Sequence, residues 1–156
     1  MDNPTRVITT LDQRLDHEVS LVLYGRGALC LGFDGFRDEF ATTQDVDGII
    51  PLSQSDALTN DVQFWEAVDA TNRELEPSGL YITHLFREDQ VILSRNWERE
   101  IVPLLRPKTQ SLRLFRPATI DLVLTKMMRG NDEEDLSDIE FLIQCDNIHP
   151  DALNQA

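Results

Sequence analysis

LVLYGRGALCLGFDGFRDEFATTQDVDGIIPL, residues 21–52, holds the densest structural signal of the chain. Leu21 to Tyr24 are continuously apolar and read as a buried strand. Gly25-Arg26-Gly27 reads as a turn, and Ala28 to Phe33 as a short helix. Asp45, Val46 and Asp47 then open a second strand that runs through Ile49 and Ile50. Side chains alternate across a strand, so Asp45 and Asp47 share one face while Val46 turns to the core. Two carboxylates so placed repel each other unless a cation lies between them, and a magnesium site accounts for the pair economically. The competing reading makes Asp45 the cap of a turn after Thr43 and leaves Asp47 solvated.

Working outward, Thr5 to Val19 predict a helix, with Val7, Ile8, Leu11, Leu15 and Val19 at roughly helical spacing. Ser55 or Asp56 is placed to cap a helix that carries Leu58, Val62, Trp65 and Val68 and ends before Pro77-Ser78-Gly79. Leu80 to Phe86 alternate as a third strand. Trp97 to Leu105 fit no single element, because Pro103 and Pro107 limit any helix there. Ser111 to Phe115 predict a short strand, and Ala118 to Met128 a helix entered through Pro117, with Ile120, Val123, Leu124 and Met127 as its apolar face. A last helix starts near Glu134 and is expected to bury Leu136, Ile139, Leu142 and Ile143. The sum is an α/β fold: a mixed sheet with helices packed on it and a C-terminal helical pair. At 156 residues the whole chain, 1–156, fits one domain.

Basic residues number 14 against 28 acidic ones, a formal charge of -14 that disfavours non-specific attraction to nucleic acid or anionic membranes. A phosphate-bearing substrate therefore needs local positive charge or metal. No signal peptide and no apolar run of the ~18–20 residues that span a bilayer is visible, so the expectation is a soluble, cytoplasmic chain with no membrane partner. Cys30 and Cys145 follow no metal-ligand spacing and read as buried free thiols.

The order strand, glycine turn, short helix and T-x-D-V-D strand, followed by the helix I-D-L-V-L-T-K-M-M-R and the acidic D-L-S-D-I helix, resembles the nucleotidyltransferase fold. More narrowly, it is similar to small bacterial nucleotidyltransferase-like proteins of largely unassigned function, related to abortive-infection toxin nucleotidyltransferases. The likeness covers roughly residues 20–52 and 111–144. It implies a glycine turn, matched by Gly25 and Gly27, that lets the chain approach a nucleoside triphosphate, with the next helix offering its N-terminal N–H groups to phosphate. Arg26 stands where relatives carry glycine or serine, and either binds phosphate itself or blocks the pocket. The loop DGFRDEF makes the interval from Gly25 to Asp45 longer than in relatives.

The resemblance further implies that Asp45 and Asp47 hold two magnesium ions and that the reaction transfers a nucleoside monophosphate from a nucleoside triphosphate, releasing pyrophosphate. The acceptor is RNA, protein or a small molecule, in a toxin-type setting. Lys126 matches a lysine that reaches the nucleotide phosphates in related toxins, and Arg129, three residues on, shares its face. Asp135 and Asp138 are spaced to pair with Lys126 or Arg129, while the run Asp132-Glu133-Glu134-Asp135 reads alternatively as a solvated helix N-terminus. Active relatives add a third carboxylate on a neighbouring strand. Here that strand offers Thr83 and His84, with Glu88 and Asp89 following, and His84 is a candidate base. Two other classes stay open: a catalytically silent nucleotide-binding relative, and an antitoxin-like module whose acidic surface suits a basic protein partner.

Overall fold

The computed structural model of the chain describes residues 2–34, 38–91, 93–127 and 133–146. Helix α1 spans Asn3–Arg14, with Asp2 as N-cap accepting from the Thr5 N–H at 2.7 Å. Val7, Ile8 and Leu11 bury its inner stripe. The helix stops at Arg14 and not at the expected Val19: Leu15 is already extended, and Val19 donates its N–H to Ser111 C=O at 3.0 Å as the first residue of a strand. Sheet pairing of a β-branched residue overrides the helical spacing that had drawn Val19 into α1.

That strand, β1 (Val19–Tyr24), is the centre of a mixed five-stranded sheet. It runs antiparallel to β2 (Asp45–Ile50) and parallel to β5 (Leu112–Arg116), and both its neighbours carry an outer strand. β3 (Tyr81–Arg87) lies parallel to β2, and the two-residue β4 (Val102–Pro103) antiparallel to β5, giving the order β3-β2-β1-β5-β4. A central strand covered on both faces needs continuous apolar residues, as Leu21 to Tyr24 supply. β4 and a 3-10 turn at Trp97–Glu100 account for parts of the segment that sequence left unassigned.

Helix α2 (Gly25–Gly32) follows β1 without an intervening loop, so the turn and the helix predicted separately are one element. The short α3 (Asp38–Ala41) lies between α2 and β2 and buries Phe40 fully. The single helix expected after β2 is two, α4 (Leu52–Thr59) and α5 (Val62–Leu75). Asn60 closes α4 by bonding back to Asp56 C=O through its backbone N–H (3.2 Å) and its side-chain amide (3.0 Å). Asp61 then caps α5, accepting from Phe64 N–H at 3.0 Å. Val62, assigned to the apolar face of one long helix, is 67% exposed at the start of the second.

The C-terminal pair is α6 (Thr119–Met127) and α7 (Glu133–Asp146), packed on each other, with α6 also touching α2. Leu122 and Val123 are the fully buried apolar residues of α6, while Met127 is exposed. In α7, Phe141 and Leu142 enter the core and Leu136 remains half exposed, contrary to its assignment as a core residue. Phe141 meets Phe40 and Phe33 edge-on, at centroid distances of 5.0 and 5.9 Å, which ties α7 to α3 and α2. Among the described residues no helix is long and apolar enough to cross a membrane.

Side chains hold the backbone of β3 and of the start of β5. The Asn72 amide accepts from Ile82 N–H and donates to Ile82 C=O on β3. On the far side, Thr109 Oγ1 donates to Leu112 C=O, and Asp12 accepts the N–H groups of Gln110, Ser111 and Leu112 at 3.0, 2.8 and 2.9 Å. Burial pushes the Asp12 carboxyl up, but those three N–H bonds outweigh it and hold the group below its ordinary value. A depressed folded-state value means that the stabilisation is present above the unfolded value of about 3.9 and is lost as pH falls through the folded one. Asp12→Ala is expected to cost about 1.5–3 kcal/mol near neutrality, the range for bonds to a charged group. In urea unfolding, the gap from the native chain should close as pH drops below about 4.

The two cysteines differ. Cys30 is buried in α2, and burial, followed by the Asp2 carboxylate, pushes its thiol up to about 12. Cys145 is exposed on α7, which corrects the expectation that both are buried. A maleimide at neutral pH should therefore modify one thiol in the folded protein, Cys145, and both after denaturation.

Candidate functional site

The candidate site forms where β1 ends, α2 begins and β2 starts. Tyr24, the last residue of β1, pairs with Asp47 across the antiparallel ladder, so the next residue, Gly25, lies beside the start of β2. Gly25 has φ +69°, a left-handed conformation that a side chain disfavours by about 1–2 kcal/mol. A Cβ added there would sit 3.4 Å from Asp47 Oδ2. The glycine thus turns strand into helix in one residue and keeps space beside the carboxylate. Gly27 differs: it lies inside α2, and a Cβ would meet only Val46 at an ordinary 3.8 Å. Of the two glycines named from sequence, only Gly25 is required by its backbone.

On β2, Asp45 is exposed, Val46 is buried and Asp47 is partly buried, the alternation expected from the strand pattern. Tyr24 occupies the N-cap of α2 with an extended backbone and makes no side-chain capping bond. The positive end of the α2 dipole is therefore directed to the same corner as the two aspartates.

The cationic side comes from elsewhere. Arg26, in the first turn of α2, grips Asp138 of α7 with two bonds, Nε to Oδ2 at 3.0 Å and Nη2 to Oδ1 at 3.2 Å. Lys126 of α6 contacts the same Oδ2 at 2.9 Å. Asp138 is completely buried, and the side chains of Lys126 and Arg26 are 4% and 17% exposed, so the three form an interior ionic cluster. The Arg26 guanidinium also lies 5.6 Å from the Phe40 ring centroid. The Lys126–Asp138 pairing was one of those their spacing allowed. The link from Asp138 to Arg26 was not anticipated.

The family model described as a nucleotidyltransferase of unknown function (DUF6036) matches residues 3–156. The chain belongs to this family. No curated protein and no solved structure matches it. In this nucleotidyltransferase-family chain the mixed sheet and C-terminal helical pair agree with the architecture its sequence predicts.

The remaining candidates of the nucleotidyltransferase-family chain fall as follows. β3 runs beside β2, and a register shift between Val46 and Asp47 sets His84 opposite Asp47 in the ladder. The side chains of His84, Glu88 and Asp135 lie outside the described residues, as does Arg129 altogether. Asp89 forms an ion pair with Arg87 at 3.1 Å. Sequence reading passed over Asp121, in the first turn of α6: it is 1% exposed and accepts from Ser94 N–H (2.6 Å) and Ser94 Oγ (3.1 Å). An acid in an apolar helix, five residues before Lys126, was the available signal.

A magnesium ion can be tested against these residues. Asp45 and Asp47 supply hard oxygen donors, and the missing Cβ of Gly25 leaves room at Asp47. Magnesium is commonly held by one or two carboxylates plus substrate phosphates, so the pair fits. Among the described residues no group of three or more His, Cys, Asp or Glu side chains is placed to hold a metal ion.

Proposed function

We propose that this chain is a magnesium-dependent nucleotidyltransferase that moves a nucleoside monophosphate from a nucleoside triphosphate to an acceptor hydroxyl. One observation carries the reading: the Asp45–Asp47 pair opens β2 directly beside the left-handed Gly25 that starts α2. Asp45 and Asp47 would hold the metal, which neutralises phosphate charge and lowers the pKa of an attacking hydroxyl. The first turn of α2 directs its N–H groups and dipole at phosphate oxygens. Arg26 and Lys126 add cations from α2 and α6, which a chain of formal charge -14 must concentrate locally to attract a triphosphate. In the transfer the acceptor oxygen bonds to the α-phosphorus as the bond to pyrophosphate breaks. Such a reaction depends chiefly on positioning and charge, which these residues provide.

The second reading is nucleotide binding without turnover, and it is favoured by the sequence of β3, which carries no carboxylate from Tyr81 to Arg87. Pyrophosphate release, followed with each nucleoside triphosphate over a panel of RNA, protein and small-molecule acceptors, separates the two. Release that disappears in Asp45→Asn/Asp47→Asn supports transfer at this site. Metal-dependent binding with no release for any acceptor supports the silent reading.

A further inference from the structure

We propose that His17 is a proton-sensitive clasp, an imidazolium that ties the connection between α1 and β1 to the start of α5 and weakens its hold when it loses a proton. His17 lies in the short segment, Leu15 to Glu18, that joins the two elements. Its Nδ1 is 2.8 Å from Asp16 Oδ1, and its Nε2 is 2.6 Å from Oδ2 of Asp61, the N-cap of α5. A neutral imidazole has one N–H and one bare lone pair, so it donates to only one such oxygen, and an ionised carboxylate can only accept. The ordinary aspartate value, about 3.9, lies far below that of an imidazole, about 6.5, so a shared proton resides on the ring. Two contacts of these lengths therefore call for a proton on each ring nitrogen, and the ring that fits them is positively charged.

The bond to Asp61 first, and that to Asp16 second, hold the imidazole above its ordinary value of 6.5. Asp61 responds in the opposite direction: burial pushes its carboxyl up, but the His17 bond and the Phe64 N–H outweigh it and hold the group below its ordinary value. The other charges on the connection are engaged elsewhere, Arg14 with Glu74 of α5 at 2.6 Å and Glu18 with Arg113 of β5 at 3.2 Å. α4 presents Gln54, Ala57 and Leu58 to the cleft that Asp61 lines, none of them charged. Gln63 of α5 adds bonds that do not titrate, donating to Arg14 C=O at 2.7 Å and accepting from the Asp16 N–H at 3.4 Å. The ionic share of the contact thus runs through His17. A raised folded-state value means that this share is fully present below the unfolded value of about 6.5 and is lost as pH rises through the folded one. Beyond that point a bare lone pair faces a carboxylate oxygen, and Asp16, 75% exposed, is free to turn into water.

The test is a pH titration of the imidazole signals by NMR on the native chain, Asp61→Asn, Asp16→Asn and His17→Gln, with the backbone amide shifts of Asp16 and Phe64 recorded in the same samples. His17→Gln assigns the signal among the three histidines of the chain. Native His17 is expected to titrate above 6.5. Asp61→Asn should bring the midpoint back towards 6.5, and further than Asp16→Asn does; asparagine still caps α5, because its side-chain oxygen accepts from an N–H as the carboxylate does. The two amides should shift with the same midpoint as the ring, and those shifts should vanish in His17→Gln. A native midpoint at or below 6.5 overturns the proposal. Amides that ignore the ring, or that titrate unchanged in His17→Gln, overturn it as well. Where Asp61→Asn does not fold, the native titration and His17→Gln decide the matter. His17 precedes β1 and Gly25 follows it, so the clasp and the candidate site lie at opposite ends of that strand, and the titration needs neither nucleotide nor metal.

Discussion

Asp138→Ala will lower folding stability by about 3–5 kcal/mol, the cost of removing one partner from a buried ionic contact. The carboxylate is wholly buried, and its loss deprives the almost equally buried Lys126 ammonium and the Arg26 fork of a shared counter-charge. A domain of this size commonly has about 5–15 kcal/mol in all, so the variant should unfold at markedly lower urea concentration. The Arg73–Asp69 pair on α5 is the control: at 78% and 60% exposure, its removal through Asp69→Ala should cost at most about 0.5 kcal/mol. A loss below about 1 kcal/mol for Asp138→Ala would show that the cluster relaxes or hydrates, and the account of α6–α7 docking would have to change.

Asp45→Asn/Asp47→Asn is the second large effect, and its sign pattern is the opposite. Metal-dependent binding of a nucleoside triphosphate should weaken by at least about a hundredfold, since even outer-shell changes cost up to that much in metal affinity. Stability in metal-free buffer should stay level or rise slightly, because two like charges at the head of β2 are removed and Asp45 is exposed. Calorimetry with magnesium and with a chelator, alongside thermal unfolding, reads both quantities. Binding that survives the double substitution, or that is indifferent to magnesium, would remove the aspartates from the site. Binding lost together with stability would instead mark them as structural.

The parts of the fold legible in sequence are those governed by near neighbours. Continuous apolar residues marked β1, the D-V-D alternation marked the start of β2, and helical spacing marked α6 and α7. The Asp61 cap that splits α4 from α5 is equally local, through its bond to Phe64, and was missed because the apolar period of residues 58–68 ran across it. In the candidate site, the aspartates and the glycine turn were visible because each lies within a few residues of its own strand end. His84 was visible only as a residue type: its place opposite Asp47 comes from a register shift that no pattern in β3 announces.

Taken alone, the sequence determined which segments are strands and helices over most of the chain, and that two carboxylates share one face of β2, since both follow from backbone periodicity over a few residues. The tertiary structure alone decided that Val19 leaves helix for sheet, that Asp12 caps residues 110–112, and that Arg26 meets Asp138 across 112 residues of chain. Partners so far apart share no period. They are brought together by burial of the core and held because a polar group taken out of water must find its counterpart there.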